Sequence, residues 1–179
     1  MTTLVLAESA DHQLLETTSK LVSAAKALGK PAYVLVLDND ELRIANEAAR
    51  LDGVEKVLLA SHQNPDTISF DQISSLLVAL MDNYQALIAS ASGRGKYVLP
   101  NLAAKLETAP LTGVSAILDK NLFERPVYAS AAIERVRLEQ GKTLLTIRTA
   151  PFECVSEQPP CEIEPIATSV SRMIRQTSR

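Results

Sequence analysis

Hydrophobic residues in the first half of the chain alternate between short continuous runs and a helical repeat. The runs predict four β-strands, at Thr3–Ala7, Ala32–Leu37, Val54–Ala60 and Gln85–Ser90. Three of these runs are almost entirely apolar, which is typical of parallel strands that helices cover on both faces. Glu55 and Lys56 interrupt the third run near its start, so the sequence predicts an edge position for Val54–Ala60.

Between the runs, apolar residues recur at helical spacing and predict helices with recognisable ends. The first stripe extends over Leu14–Leu28 and stops at Gly29 and Pro31, because glycine favours helix ends and proline cannot continue a helix. Asp40 can cap a second helix, which we expect to end at Gly53.

Two further helices are expected before residue 110. Ser69 and Gln72 have the spacing of a capping box at the start of the third helix. The fourth is predicted over Tyr97–Thr108, with Pro100 in the first turn, where backbone amides have no helical partner. Strands and helices that alternate in this order indicate right-handed crossovers. They predict a three-layer α/β/α fold around a doubly wound, mainly parallel sheet.

The pattern changes after Pro110, where strands follow one another without helices. A fifth strand is predicted at Val114–Asp119, and shorter strands follow at Pro126–Ser130, Ile133–Glu139 and Thr143–Thr149. A turn at residues 140–142 would join the last two strands. Apolar and polar residues alternate in the last strand, which predicts one solvent-facing side. The sequence therefore predicts an antiparallel β extension on the same domain.

The composition of the chain changes near residue 152. Residues 1–152 carry all the elements of the predicted domain, whereas residues 153–179 are polar and rich in proline. The apolar side of a last amphipathic stretch holds Ile166, Val170, Met173 and Ile174. We therefore expect one domain followed by a tail with a short amphipathic helix.

Charge and composition exclude several classes of function. The 179-residue chain has a formal net charge of −3, which argues against nucleic-acid binding because such proteins carry a basic surface. No apolar run approaches the roughly 18 residues of a membrane span, and the N-terminus has no leader pattern. We therefore expect a cytoplasmic protein that is not embedded in a membrane. Cys154 and Cys161 fit neither a redox pair nor a zinc site and are interpreted as free thiols.

The segment that most suggests binding is Ser90–Lys96, which leaves the fourth strand and enters a helix. Its glycines allow backbone N–H groups to turn toward an anion at the helix N-terminus, and its two basic side chains add positive charge. The candidates for binding an anion or a nucleotide are Ser92, Gly93, Arg94, Gly95 and Lys96. The spacing matches neither a P-loop nor a dinucleotide fingerprint, and an ordinary Gly-rich turn is the favoured alternative.

The expected strand order adds Ser9 and Asp11 as candidates. If the fourth strand returns beside the first, these residues border a switch point, where open α/β sheets usually bind ligands. Capping of the first helix is the alternative that we favour for both. His12 and His62 lack Cys, Asp or Glu partners at metal spacing, so we interpret them as surface residues and predict no metal site. No nucleophile motif is present, which favours a component of a larger assembly over an independent enzyme.

Four segments carry a resemblance to a known family. They are the opening strand Thr3–Glu8, the helix and strand in Ala45–Ala60, SGRGKYVLPNLAAKL at Ser92–Leu106, and LTGVSAILDKNLFERPVYAS at Leu111–Ser130. In this order they resemble the N-terminal domain of the alpha subunit of electron transfer flavoprotein, over roughly residues 3–152. Lys96 and Pro100 distinguish the third segment from the Gly-rich motif of that family's flavin domain.

The resemblance implies a fold like that of the adenine nucleotide alpha hydrolases. It also implies a subunit of a heterodimeric FAD carrier that passes electrons from dehydrogenases to a membrane quinone reductase. A beta-type subunit would be the direct partner, and the dehydrogenases indirect ones. In that family a second alpha-subunit domain, absent from this sequence, holds most of the flavin. The resemblance therefore implies FAD in the complete complex and no FAD-contacting residue in this chain alone.

Two hypotheses follow from these observations. The first is a structural, partner-binding domain of the carrier, which would dock through the β extension Phe123–Thr149. The apolar residues that we expect on this docking surface are Phe123, Val127, Tyr128, Ile133 and Leu138. Packing of these residues on the sheet edge is the alternative to docking. The second hypothesis is a stand-alone adenine-nucleotide-binding module that uses the switch-point loops.

Overall fold

The computed structural model describes residues 2–38, 42–61, 68–139 and 141–166. Its strands are, in chain order, β1 (Thr3–Leu6), β2 (Ser9–Ala10), β3 (Gln13–Leu14), β4 (Ala32–Asp38), β5 (Val54–Ser61), β6 (Ala86–Ser90), β7 (Leu111–Val114), β8 (Ala116–Asp119), β9 (Leu122–Val127), β10 (Ala132–Arg137), β11 (Thr143–Ile147) and β12 (Glu162–Ile166). Its helices are α1 (Glu16–Ala27), α2 (Leu42–Ala49), α3 (Phe70–Leu80) and α4 (Gly95–Lys105).

Within these ranges, the main sheet has seven strands in the order β12-β5-β4-β1-β6-β11-β7. All of its strand pairs are parallel. Because β1 lies between β4 and β6, the chain winds outward in one direction through β4 and β5 and then returns to the other side of β1. The predicted doubly wound sheet and its switch point between β1 and β6 are confirmed.

Helices cover both faces of this sheet. On one face, α1 and α2 pack against residues such as Val5, Val34 and Val57. On the other face, α3 and α4 pack against their strand neighbours, such as Leu4 and Leu35. Successive strand residues point to opposite faces, so an apolar residue is required at every position of a central strand. The three-layer α/β/α architecture is confirmed.

The predicted edge position of β5 is wrong. Strand β12 pairs with it in parallel and occupies the edge instead, with Glu164 opposite Leu58. Lys56 Nζ lies 2.9 Å from a carboxylate oxygen of Glu164 and 3.2 Å from one of Glu162. The charge that suggested a solvent-exposed edge is thus paired with carboxylates on the neighbouring strand.

The predicted solvent-facing side of the last extension strand is also wrong. Strand β11 lies inside the main sheet between β6 and β7, and its residues from Leu144 to Ile147 are buried. Thr146, the polar residue of the alternation, is 3% exposed. Its hydroxyl oxygen accepts a hydrogen bond from the backbone N–H of Gly113 at 2.9 Å, which satisfies that oxygen without water.

The antiparallel extension is a three-stranded sheet in the order β10-β9-β8. The predicted fifth strand divides at Ser115: β7 joins the main sheet and β8 joins the extension. Phe123 in β9 is fully buried and belongs to the core of the α1 and α2 face. The extension is therefore packed onto the domain through Phe123, so the predicted surface position of this side chain is wrong.

Local helix signals gave mixed results. The capping box of Ser69 and Gln72 at the start of α3 is confirmed, with both reciprocal hydrogen bonds present. Helix α4 begins two residues earlier than predicted, at Gly95, so Pro100 lies in the helix interior rather than in the first turn. Proline has no N–H, so this helix lacks one internal hydrogen bond there.

Some predictions lie outside the described residues. They concern Asp40 as a helix cap, His62, residue 140 of the predicted turn, and the stretch from Val170 to Ile174. The division of the chain near residue 152 stays a prediction. Residues beyond it pack on the domain as far as Ile166, and the backbone N–H of Val155 donates to Ser19 Oγ at 3.0 Å. In the described ranges, no helix combines the length and apolarity that crossing a membrane requires.

Candidate functional site

The switch point lies where the carboxyl ends of β1 and β6 leave the sheet. After β1 the chain forms a small hairpin of β2 and β3, in which Ser9 pairs with Leu14. Asp11 and His12 form its turn with positive φ angles of 50° and 58°. After β6 the chain passes through residues 91–94 into α4. Both sets of predicted candidates therefore border the switch point.

The alternative that Ser9 and Asp11 cap the first helix is wrong. Helix α1 begins after Leu15, which holds the N-cap position and supplies no side-chain hydrogen bond. The hairpin separates the two polar residues from the start of the helix. Asp11 is exposed at the hairpin turn, and Ser9 is half-buried at its base.

Sequence reasoning gave no role to Glu8, which lies between the two loops. Its side chain is 9% exposed, and its Oε2 accepts a hydrogen bond from Thr17 Oγ1 at 3.0 Å. Its backbone N–H donates to Thr18 Oγ1 at 2.9 Å. The other carboxylate oxygen, Oε1, is buried and accepts no hydrogen bond of normal geometry from the described residues. The available sequence signal was an acidic residue two positions after a strand that is apolar except for Thr3.

Burial raises the pKa of the Glu8 carboxyl above its ordinary value of 4.5. The loss of hydration disfavours the charged form and is the largest cause of the shift. Hydrogen bonding from Thr17 and Ser90 and the positive charge of Arg94 act in the opposite direction. The switch point therefore holds a carboxyl group of the chain itself.

Two glycines of the loop after β6 are required by close packing. A Cβ atom on Gly93, whose φ is +57°, would stand 2.3 Å from Glu8 Oε1. A Cβ atom on Gly95 would stand 2.2 Å from the carbonyl oxygen of Ser90. Ser92 closes the loop, since its backbone N–H donates to Ser90 Oγ at 3.2 Å. The Gly-rich sequence therefore has a structural reason that is independent of any ligand.

The basic residues of the loop have different surroundings. Arg94 is half-buried beside Glu8, and its charge acts on that carboxyl. Lys96 is exposed in the first turn of α4, with Nζ 5.9 Å from the centre of the Tyr97 ring. Lys96 is therefore the loop cation that is open to a ligand, and it also lines a cleft on the side of β11.

Two large apolar side chains are strongly exposed on the antiparallel extension. Tyr128 is 84% exposed at the turn between β9 and β10, and Ile133 is 58% exposed on β10. Tyr128, Ala129 and Ser130 have consecutive positive φ angles of 51°, 52° and 71°. This conformation is costly for residues other than glycine, so the turn holds the tyrosine side chain out at a cost in backbone energy.

Metal binding has no support among the described residues. No three His, Cys, Asp or Glu side chains within those ranges lie close enough together to hold an ion. The two cysteines are free thiols, with Cys154 exposed and Cys161 half-buried. Burial raises the pKa of the Cys161 thiol, which disfavours the reactive thiolate.

Comparison with known proteins gives one consistent result. Residues 3–171 match the family model described as electron transfer flavoprotein domain. The electron transfer flavoprotein subunit alpha of Paracoccus denitrificans is 39% identical over 158 residues, which are 88% of this chain and 51% of that protein. The subunits alpha of Pseudomonas aeruginosa and Bradyrhizobium diazoefficiens are 33% and 34% identical over 88% and 93% of this chain. The chain spans about half the length of these curated relatives.

Proposed function

Because this chain belongs to the electron transfer flavoprotein domain family, we propose that it is the structural, partner-binding domain of an alpha-type subunit. It would serve an FAD carrier that moves electrons from dehydrogenases to a quinone reductase. The observation that carries the proposal is the match to subunits alpha over nearly all of this chain but only about half of theirs. The matched half would supply a docking scaffold in the cytoplasm.

The direct partner in this proposal is a beta-type subunit. The antiparallel extension offers it a surface with Tyr128 and Ile133 exposed at 84% and 58%. A large side chain that projects from a strained turn, as Tyr128 does, is expected where a second chain covers it. Phe123 does not contribute to this surface, because it is fully buried.

Co-purification with a beta-type subunit tests the docking surface. Tyr128→Asp should abolish association and leave the chain folded, because the substituted side chain lies in solvent in the isolated domain. Tyr97→Asp is the matched control, since Tyr97 is a second exposed tyrosine, at 56%, on α4. Equal binding of the beta-type subunit by Tyr128→Asp and the unaltered chain would place the docking surface elsewhere.

FAD belongs to the complete carrier in this proposal and is not bound by the isolated chain. A cleft that borders the candidate loop has a volume of about 460 Å³, near the lower end of ligand sites that bury drug-sized molecules. The purified chain should therefore be colourless. A stoichiometric flavin absorbance band in the folded protein would contradict this.

One observation favours a second candidate, a nucleotide-binding module at the switch point. Glu8 Oε1 is buried there, accepts no hydrogen bond of normal geometry from a described residue, and lies between the loops that carry Ser9, Asp11 and residues 92–96. A ribose hydroxyl could donate to it, with the phosphate at the start of α4. Titration with AMP tests this candidate, which requires Glu8→Gln to alter the affinity.

A further inference from the structure

A basic cleft lies at the carboxyl ends of β6, β11 and β7, on the opposite side of β6 from the switch point. Its volume is about 460 Å³. Carboxyl ends of parallel strands are the usual ligand position in such sheets. The residues that matter for its chemistry are Lys96, Thr112, Arg125, Thr146 and Arg148.

The cleft concentrates positive charge in a chain whose net charge is negative. Lys96, Arg125 and Arg148 contribute three cations, and the described residues that line the cleft include no carboxylate. Lys96 and Arg148 form no ion pair with a described residue. A confined group of cations with few counter-charges attracts anions, since the low-dielectric walls focus its field.

Arg125 is held in place and still has donors to offer. Its Nε lies 2.6 Å from a carboxylate oxygen of Glu134 on β10. That contact uses one of the five N–H groups of the guanidinium, and those on the two terminal nitrogens stay available. Arg148 lies against the main chain of β7, as shown by the distance of 3.7 Å between its Nε and a Cβ atom built on Gly113.

Neutral donors complete the cleft. Thr146 is 3% exposed, and its Oγ1 already accepts the N–H of Gly113, so its hydroxyl proton is available to donate. Thr112 adds an exposed hydroxyl at the rim. The positive end of α4 lies at Lys96, where an anion is stabilised by the helix dipole.

We propose that this cleft binds a small ligand through a phosphate group. The cleft offers a fork of guanidinium donors, an ammonium group and a buried hydroxyl. Phosphate matches this set of donors better than a carboxylate does, because phosphate has more acceptor oxygens and a double charge. The phosphate could be inorganic or esterified to a nucleoside, and the chemistry of the cleft is the same for both. Neither Glu8 nor Tyr128 lines the cleft, although Val127 in its wall directly precedes Tyr128.

Calorimetric titration of the full chain with pyrophosphate, phosphate and AMP tests the proposal. We expect pyrophosphate binding that weakens as salt is added, and a loss of at least about tenfold in affinity for both Arg148→Gln and Lys96→Gln. Arg50→Gln is the matched control, because it removes the same charge from an exposed arginine after α2. It should change the affinity less than about twofold.

The three ligands distinguish the source of the phosphate. Where Arg148→Gln weakens the binding, tighter binding of AMP than of phosphate indicates an esterified ligand, and equal binding indicates the free ion. Both of these outcomes support the cleft. Absence of pyrophosphate binding at millimolar concentration overturns the proposal, as does unchanged affinity in Arg148→Gln or an equal loss in Arg50→Gln. If Arg148→Gln unfolds in thermal denaturation, the exposed Lys96→Gln decides by itself.

Discussion

The Glu8 carboxylate lies against the main chain of Gly93, so closely that a Cβ atom on residue 93 would stand 2.3 Å from Glu8 Oε1. The loop after β6 therefore wraps around a carboxyl group that belongs to the end of β1. In related architectures this position receives the phosphate of a ligand. Here a buried acid, with the Arg94 charge acting on it, occupies the neighbourhood.

Replacing Glu8 should change how stability depends on pH. Burial raises the pKa of Glu8 in the folded protein above 4.5, so the folded state retains a proton that the unfolded chain has already lost. The contribution of Glu8 to the free energy of unfolding therefore falls as pH rises from about 4.5 through the pKa of Glu8 in the folded protein. Glu8→Gln removes the ionisation, and its stability relative to the unaltered chain should increase over that window.

Thermal unfolding between pH 4 and pH 8, in roughly half-unit steps, measures this difference. Glu16→Gln is the control, because Glu16 is exposed and its hydrogen bond with Lys20 lowers its pKa. Glu16 therefore stabilises the folded state above pH 4.5, and this contribution is lost as pH falls through the pKa of Glu16 in the folded protein. A Glu8→Gln curve parallel to that of the unaltered protein would show that Glu8 has no raised pKa.

Gly95 should tolerate no side chain. Its Cβ would stand 2.2 Å from the Ser90 carbonyl oxygen, a backbone atom that cannot move without disturbing the end of β6. Gly95→Ala is expected to cost about 1–3 kcal/mol, as overpacking usually does, and Gly95→Val more. Urea unfolding measures the cost.

Gly29→Ala provides the comparison for that experiment. The nearest atom to a Cβ on Gly29 is 3.8 Å away, so only its φ of +66° opposes the substitution, at about 1–2 kcal/mol. We expect the Gly95 variant to be the less stable of the two. Equal costs would mean that the loop after β6 relaxes easily and that its close approach is not a constraint.

Phe123 and Tyr128 should differ sharply in their effect on stability, although both belong to the extension. Phe123 is fully buried, so Phe123→Ala should cost about 3–5 kcal/mol by leaving a cavity. Tyr128 is 84% exposed, so Tyr128→Ala should stay within about 0.5 kcal/mol. Chemical denaturation of both variants checks this, and a costly Tyr128→Ala would assign that residue to the core and remove it from the docking surface.

The parts of the fold that the sequence predicts correctly depend on local signals. The apolar run of β1 and the capping box of Ser69 and Gln72 are read within a few residues, and the order of strands and helices implies the switch point. The failures depend on distant partners. Lys56 suggested a solvent-exposed edge strand. Its partners, Glu162 and Glu164, lie more than 100 residues away in the sequence, so their pairing with Lys56 could not be recognised there.

The candidate site illustrates the same limit. The Gly-rich loop could be found because glycine and a strand-to-helix turn are visible in the sequence, and it does border the switch point. Glu8 was missed because its importance comes from burial between two loops, which a single acidic residue does not reveal. Arg148 was missed because β11 was placed outside the main sheet, so the strand end that carries it had no expected neighbours.

Gln158 should be essential for holding the C-terminal segment on the domain. Its side-chain Oε1 accepts the N–H of Gly53 at 3.1 Å, and its Nε2 donates to the carbonyl of Val54 at 2.7 Å. Its backbone N–H also donates to the carbonyl of Arg50 at 2.8 Å. These bonds join the segment before β12 to the loop that leads into β5, so they fix where the edge strand begins.

Gln158→Ala removes the two side-chain bonds and leaves the Gly53 N–H and the Val54 carbonyl without those partners. We expect a loss of about 1–3 kcal/mol, the usual cost of unsatisfied polar groups that are partly buried. Gln13→Ala is the control, since Gln13 is exposed on β3 and should change stability by less than about 0.5 kcal/mol.

Amide hydrogen exchange then locates the effect. Faster exchange confined to Glu162–Ile166 and its partner β5 would show that the edge strand opens as a separate unit. Unchanged exchange there, with equal stability of both variants, would show that strand pairing alone holds β12 and that Gln158 contributes nothing to it.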